Sequence, residues 1–293
     1  MMRCVVVLAG VVACASQLAL AQPAANAQPG AARAAASGSV RELLQTARRE
    51  SQDGDAAGAL ESLRRARALA PNSEDVLSAF AQVALSARLL APAIATLESL
   101  TRMCPSVAQY GYLLGVALIE AGDMPAAVDS LEQANRLEPD RPRTLLALAL
   151  ALNNRKQYAE ARRAALKSLE LDADNVDTLA TLAEAEAGTG DLQQADAHAR
   201  RVLARSPTHH TANLVAGIVL MQQERYVEAR DALERAAAAN PASAGVYYQL
   251  SLAYARLGDE ARSRQNVERY RQTLRETEDR IKTLRAGTSE TAR

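Results

Sequence analysis

The chain is poor in aromatic side chains, with one Phe (Phe80), eight Tyr and no Trp among its 293 residues. An interior without large rings must be filled by Leu, Val and an excess of Ala, which suits closely approaching helices better than sheets. Charge of one sign is missing as well. The 34 basic residues are matched by 34 acidic ones and no basic block occurs, which excludes the electrostatic footprint of a nucleic-acid binder. No apolar run makes a permanent membrane span; the best, Cys4 to Leu20, is interrupted by Gly10, Ser16 and Gln17. Cysteine is confined to Cys4, Cys14 and Cys104, so cleavage after Ala21 would leave Cys104 alone, with no internal disulfide to form.

What is present begins with the N-terminus. Met1-Met2-Arg3 is a short positive region, Cys4 to Leu20 an apolar one, and Ala19-Leu20-Ala21 a small-x-small cleavage site before Gln22. Residues 1–21 therefore read as a secretory signal peptide, and the expected location is export to the periplasm. A second reading uses Val11-Val12-Ala13-Cys14, which looks like a bacterial lipobox. Cys14 would then be the lipidated N-terminus of an outer-membrane-anchored lipoprotein, and that lipid the only route to membrane association. Residues 22–39 have the Pro, Gly, Ala and Ser content of a flexible tether, with order expected near Val40 and a disordered tail over 287–293.

Self-similarity organises the rest. Pro71, Pro105, Pro139, Pro207 and Pro241 stand on a 34-residue register whose one empty slot holds Ala173. Earlier in each unit a small residue recurs: Ala47, Ala81, Gly115, Ala149, Ala183, Gly217 and Ser251. A second small column reads Ala59, Ala93, Ala127, Ala161, Ala195, Ala229 and Ser263, and a third, apolar one Leu63, Leu97, Leu131, Ala165, Ala199, Leu233 and Val267. Two antiparallel helices approach closely only where side chains are small, and larger neighbours then fill the groove. Turn chemistry falls in one slot between the helices of a unit, at Gly54-Asp55, Gly122-Asp123, Gly190-Asp191 and Gly258-Asp259.

The pattern resembles the tetratricopeptide repeat family, whose 34-residue unit has small residues at positions eight and twenty and Pro at thirty-two. The resemblance covers residues 40 to about 277. It implies an all-α, right-handed α-solenoid of about seven helix-turn-helix repeats, with a concave face made by the first helix of each pair. The units expected are 40–73, 74–107, 108–141, 142–175, 176–209, 210–243 and a degenerate 244–277, whose second helix runs on to about Leu284 as a solvating C-terminal cap. That extension carries Val267, Tyr270, Leu274, Ile281 and Leu284 on one stripe, for which a coiled-coil seam is the alternative.

Catalytic and cofactor chemistry are not expected. His198, His209 and His210 are too few and too scattered for a metal site and read as solvated or partly packed imidazoles. Gly188-Thr189-Gly190 follows a helix, which makes it an interhelix turn and not a phosphate loop. Glu184, Glu186 and Asp191 read as a solvated acidic edge, because residues two apart on a helix do not share a face.

The family geometry implies a groove lined by positions five and nine of each first helix. The residues expected to hold a partner are Tyr112, Val116, Leu146, Leu150, Leu214, Ile218, Tyr248 and Leu252. Members that clamp a C-terminal carboxylate have Lys at position five and Asn at nine, a pattern absent here. The apolar column suits an amphipathic helix or extended peptide, with Tyr112 and Tyr248 as anchors. The function expected is thus a non-enzymatic protein-protein interaction scaffold or adaptor binding a protein or peptide, without nucleic acid, small-molecule substrate or cofactor. The alternative is a structural self-assembly module, a homo-oligomer formed through its C-terminal helix.

Overall fold

The computed structural model describes residues 31–291, with side chains over 38–286. The leader expected over 1–21, and Cys14 within it, lie outside the described residues. Every regular element among the described residues is an α-helix. In chain order these are α1 (Ala31–Gln52), α2 (Ala56–Leu69), α3 (Glu74–Ser86), α4 (Leu90–Met103), α5 (Ala108–Ala121), α6 (Met124–Leu137) and α7 (Pro142–Asn154). They continue as α8 (Tyr158–Leu171), α9 (Val176–Thr189), α10 (Leu192–Arg205), α11 (His210–Gln222), α12 (Tyr226–Ala239), α13 (Ala244–Arg256) and α14 (Glu260–Thr291). Helix α1 starts at Ala31, inside the stretch whose composition reads as a tether. Five alanines among Ala31–Ala36 favour helix strongly enough to extend α1 backwards.

The described residues fall into two compact units, one ending at residue 117 and joined by 284–291, the other spanning 118–283. Within the second unit each helix packs on the next, and each first helix also touches the first helix of the following pair: α7 on α9, α9 on α11, α11 on α13. No comparable contact joins the second helices α8 to α10 or α10 to α12. First helices that sit closer together than second helices bend the stack toward the first-helix side, which is therefore the inner face.

The small columns are where the helices meet. Ala59, Ala93, Ala127, Ala161, Ala195 and Ala229 have no solvent exposure at all. At Gly217 an added Cβ would stand 2.5 Å from Leu233 Cγ, so the fully buried Leu233 of α12 occupies the space a larger residue would need. Burial of such a leucine contributes about 1.5–3 kcal/mol.

The interhelix turns share one backbone solution. Gly54, Gly122, Gly190 and Gly258 are left-handed, with φ from 80° to 90°, as only glycine adopts freely. In the units between them the same slot holds Arg88, Lys156 and Glu224, also left-handed at 59°, 62° and 60°. The next residue divides the units again. Asp55, Asp123, Asp191 and Asp259 accept hydrogen bonds from Gly58, Ala126, Gln194 and Arg262 N–H, whereas Leu89, Gln157 and Arg225 make no side-chain cap. Turn geometry is thus imposed by the stack and only assisted by local sequence.

Candidate functional site

The inner face of the 118–283 unit is built from α7, α9, α11 and α13. Two of the residues expected on it, Tyr112 and Val116, lie in the other unit, where both are buried. The remaining six share the second unit. Leu146 and Leu214 are buried, Leu150 and Ile218 half-buried, and Tyr248 and Leu252 exposed, at 48% and 39%. Leu214 and Ile218 pack in one apolar cluster with Val246 and Leu250 of α13, so α11 and α13 form a continuous apolar wall.

Tyr248, expected as an anchor for a partner, already has a neighbour. Its ring lies 5.8 Å from that of Tyr270 on α14, tilted by 52°, a favourable aromatic geometry. Helix α14 is 32 residues long against 14 for α12. It runs antiparallel to α13, to judge from Arg262 over Tyr254, Ser263 Oγ donating to Ser251 O, and Arg269 over Tyr247. In that register Gln272 stands level with the start of α13. Everything from Thr273 onward projects past α13, yet Thr273 is only 3% exposed. Farther along, Thr277 Cγ2 lies 2.8 Å, and Ile281 Cδ1 3.8 Å, from where a Cβ on Gly122 would stand. Gly54, Gly190 and Gly258 have nothing within 4 Å of the same point. The inward stripe is therefore Val267, Tyr270, Thr273, Thr277 and Ile281. Leu274, expected on it, is 41% exposed. Spacing by apolarity alone favours Leu at that turn, but the step from Tyr270 to Thr277 puts Thr273 on the contact line.

Polar residues add a feature the column alone does not suggest. Glu184, at position nine of α9, is half-buried and accepts a hydrogen bond from Asn153 Nδ2 at 3.3 Å. Burial raises its carboxyl to about 7, and the Asn153 bond pulls it only part of the way back. Asn153 Nδ2 also donates to Thr181 O at 2.9 Å, while its Oδ1 is buried without a partner. Glu186 faces the other way, 2% exposed, 2.8 Å from His198 Nδ1. Burial raises this carboxyl too, partly offset by the hydrogen bond and charge of His198. The two glutamates do occupy different faces, but the solvated acidic edge expected from the sequence is not found. Helices on both sides desolvate it, which a single-helix reading misses.

The histidines serve structure. His209 caps α11, its Nδ1 accepting from Ala212 N–H and its Nε2 3.2 Å from Asp177 Oδ1. His210 Nδ1 donates to Ala236 O at 2.9 Å, and burial lowers its pKa. Gly188 lies where a Cβ would stand 2.4 Å from the Tyr158 ring, so this glycine makes room for an aromatic ring. Among the described residues no group of three or more His, Cys, Asp or Glu could hold a metal ion.

The sequence model of the tetratricopeptide repeat matches residues 78–142, 112–176, 181–244 and 216–274, well over half of the chain. The chain belongs to the tetratricopeptide repeat family. Solved structures agree at the level of the fold. A tetratricopeptide repeat protein from Parabacteroides merdae superposes with a TM-score of 0.66 at 15% identity, covering 84% of this chain and 99% of that one. The MamA protein gives 0.55 at 19% identity, covering 59% and 94%. A chain of the APC/C hetero-tetramer Cut9-Hcn1 gives 0.56 at 16% identity, covering 73% and 42%. No curated protein matches the sequence. Tetratricopeptide repeat proteins are in general scaffolds for protein-protein interaction, and the helical-repeat solenoid found here is that scaffold.

Proposed function

We propose that this tetratricopeptide protein is a non-enzymatic adaptor that holds an apolar peptide or helix of a partner protein on the inner face of residues 118–283. One observation carries the reading: Leu146, Leu150, Leu214, Ile218, Tyr248 and Leu252 present an apolar inner wall, and the protein's own helix α14 sits on that wall at Tyr248. A surface that already receives the face of a helix has the shape and polarity for another. Export supplies the setting. The leader-like residues 1–21 support action in the periplasm, or at the outer membrane if Cys14 is lipidated. Self-assembly through α14 has less support, because the stripe it would use is turned against Gly122 and Tyr248 of its own chain.

In-cell photo-crosslinking from Leu150 or Ile218, compared with the exposed outer position Arg163, tests the reading. A partner should be captured from the inner positions only, and capture from a probe at the exposed Leu252 should fall when Leu150→Asp and Ile218→Asp are introduced with helical content unchanged. Equal capture from Arg163, or undiminished capture by the doubly substituted protein, contradicts it. Incorporation of labelled fatty acid that depends on Cys14 would separate the two export routes.

A further inference from the structure

The distal turns of α14 close the seventh unit and run on past it. They start level with the first residue of α13, carry Thr273, Thr277 and Ile281 inward at steps of four, and expose Arg271, Leu274, Arg275, Glu278 and Lys282 outward. A helix of this kind standing free in water would have no reason to bury Thr273. Thr277 and Ile281 are covered by the turn at Gly122, near the start of the same unit, while Tyr270 rests on Tyr248 in its last pair. From Tyr270 to Ile281 the helix covers about 16 Å. A straight rod that joins the two ends of a curved stack runs along the chord, and a chord lies on the concave side. The concave side is the one lined by first helices. The distal turns of α14 therefore stand across the face to which a partner is assigned above.

The stripe itself is a weak one. Two of its residues past Tyr270 are threonines, whose hydroxyls are turned back to their own helix: Thr273 Oγ1 donates to Arg269 O at 2.8 Å and Thr277 Oγ1 to Thr273 O at 2.9 Å. Neither hydroxyl bonds to the surface beneath, so the contact is methyl packing alone. A tethered segment needs little affinity to stay in place, since its effective concentration is of the order of mM. A ligand that arrives from solution has no such help and must bring a better stripe.

We propose that residues 273–281 are a displaceable strap over the inner face, and that the partner is an amphipathic helix with aliphatic residues where the strap has Thr273 and Thr277. This rests on the inner-face reading. The ligand and the strap compete for one surface, so the free protein is held closed until a helix with a stronger stripe is present.

The test uses the full chain in three forms and one probe. The forms are wild type, a released strap (Thr277→Asp with Ile281→Asp) and a tightened strap (Thr273→Val with Thr277→Val). The probe is a labelled synthetic peptide of residues 266–286 carrying the same two valines. Fluorescence anisotropy should show binding to the released form about 10-fold tighter than to wild type, and weaker binding to the tightened form than to wild type. Leu150→Asp and Ile218→Asp in the released form should abolish it. Equal affinity for all three forms, still lost on substitution of Leu150 and Ile218, overturns the strap while leaving the inner face as the binding site. Binding that survives those substitutions overturns the inner-face reading itself. No binding to a released form of unchanged helicity overturns the proposed partner. Wild-type protein that sediments as a dimer, and becomes a monomer on release, would show the strap seated on a second copy and overturn the competition within one chain.

Discussion

Helices α12 and α14 are the second helices of the sixth and seventh pairs, and they bury themselves by different means. In α12 the repeat columns Ala229, Leu233 and Ala236 are all without exposure, held by α11 on one side and α13 on the other. In α14 the same slots are Ser263, Val267 and Tyr270, all half-buried, with no further pair packed over them among the described residues. Its one buried residue among those described, Thr273, lies beyond these columns, near the end of the unit. A column in the middle of a stack is buried by its neighbours in sequence; the last helix must find cover elsewhere, and it finds it at Gly122. Local stacking thus explains α12, whereas α14 needs a contact between residues more than a hundred positions apart.

The largest effect expected from this difference is on removal of a buried methyl cluster. Leu233→Ala should destabilise by about 2–5 kcal/mol, while Ile281→Ala, half-buried on the strap, should cost less than about 1 kcal/mol. Denaturant unfolding of the two variants checks it, and equal losses would erase the distinction between column and strap.

Next comes Glu184, at the centre of the inner face. Its folded pKa of about 7 lies above the ordinary carboxylate value, so the folded state holds its proton more tightly than the unfolded one. The resulting cost is absent below about pH 4, grows as pH rises toward 7 and is constant above. Glu184→Gln should therefore stabilise by about 1–3 kcal/mol at pH 8 and have no effect at pH 4. Thermal unfolding of both proteins at the two pH values measures this.

The smallest effects belong to the turns. Lys156→Gly relieves a left-handed lysine and should stabilise by a few tenths to about 1 kcal/mol, whereas Gly190→Ala should cost about 1–2 kcal/mol. Shifts of opposite sign in the denaturant midpoint, the second the larger, would show that the stack imposes the same turn on every unit.

Most of the repeat was legible from residues alone, because Ala93 or Ala127 can mean only a close contact when it recurs every 34 residues with a leucine four residues further on. The left-handed state of Arg88, Lys156 and Glu224 was hidden, since nothing in those residues asks for it; the glycines of the alternate units were the sole hint. The apolar columns of the inner face could be read, but its cover could not. Leu274 looks like the better contact residue than Thr273, and only the position of Gly122 in space decides between them. Glu184 and Glu186 escaped for the same reason: one helix in isolation shows both as surface charge, and the partners that turn them into the stack, Asn153 and His198, stand on other helices.

Gly122 and Gly190 supply the most direct test. They have the same backbone, with φ of 90° and 89°, so Ala at either incurs the same strain. Only at Gly122 would the new Cβ press on Thr277. Native-state hydrogen exchange of residues 273–283 should therefore quicken in Gly122→Ala and stay unchanged in Gly190→Ala. Exchange that is unaltered in both, or altered equally, would show that α14 does not rest on that turn and would contradict the account.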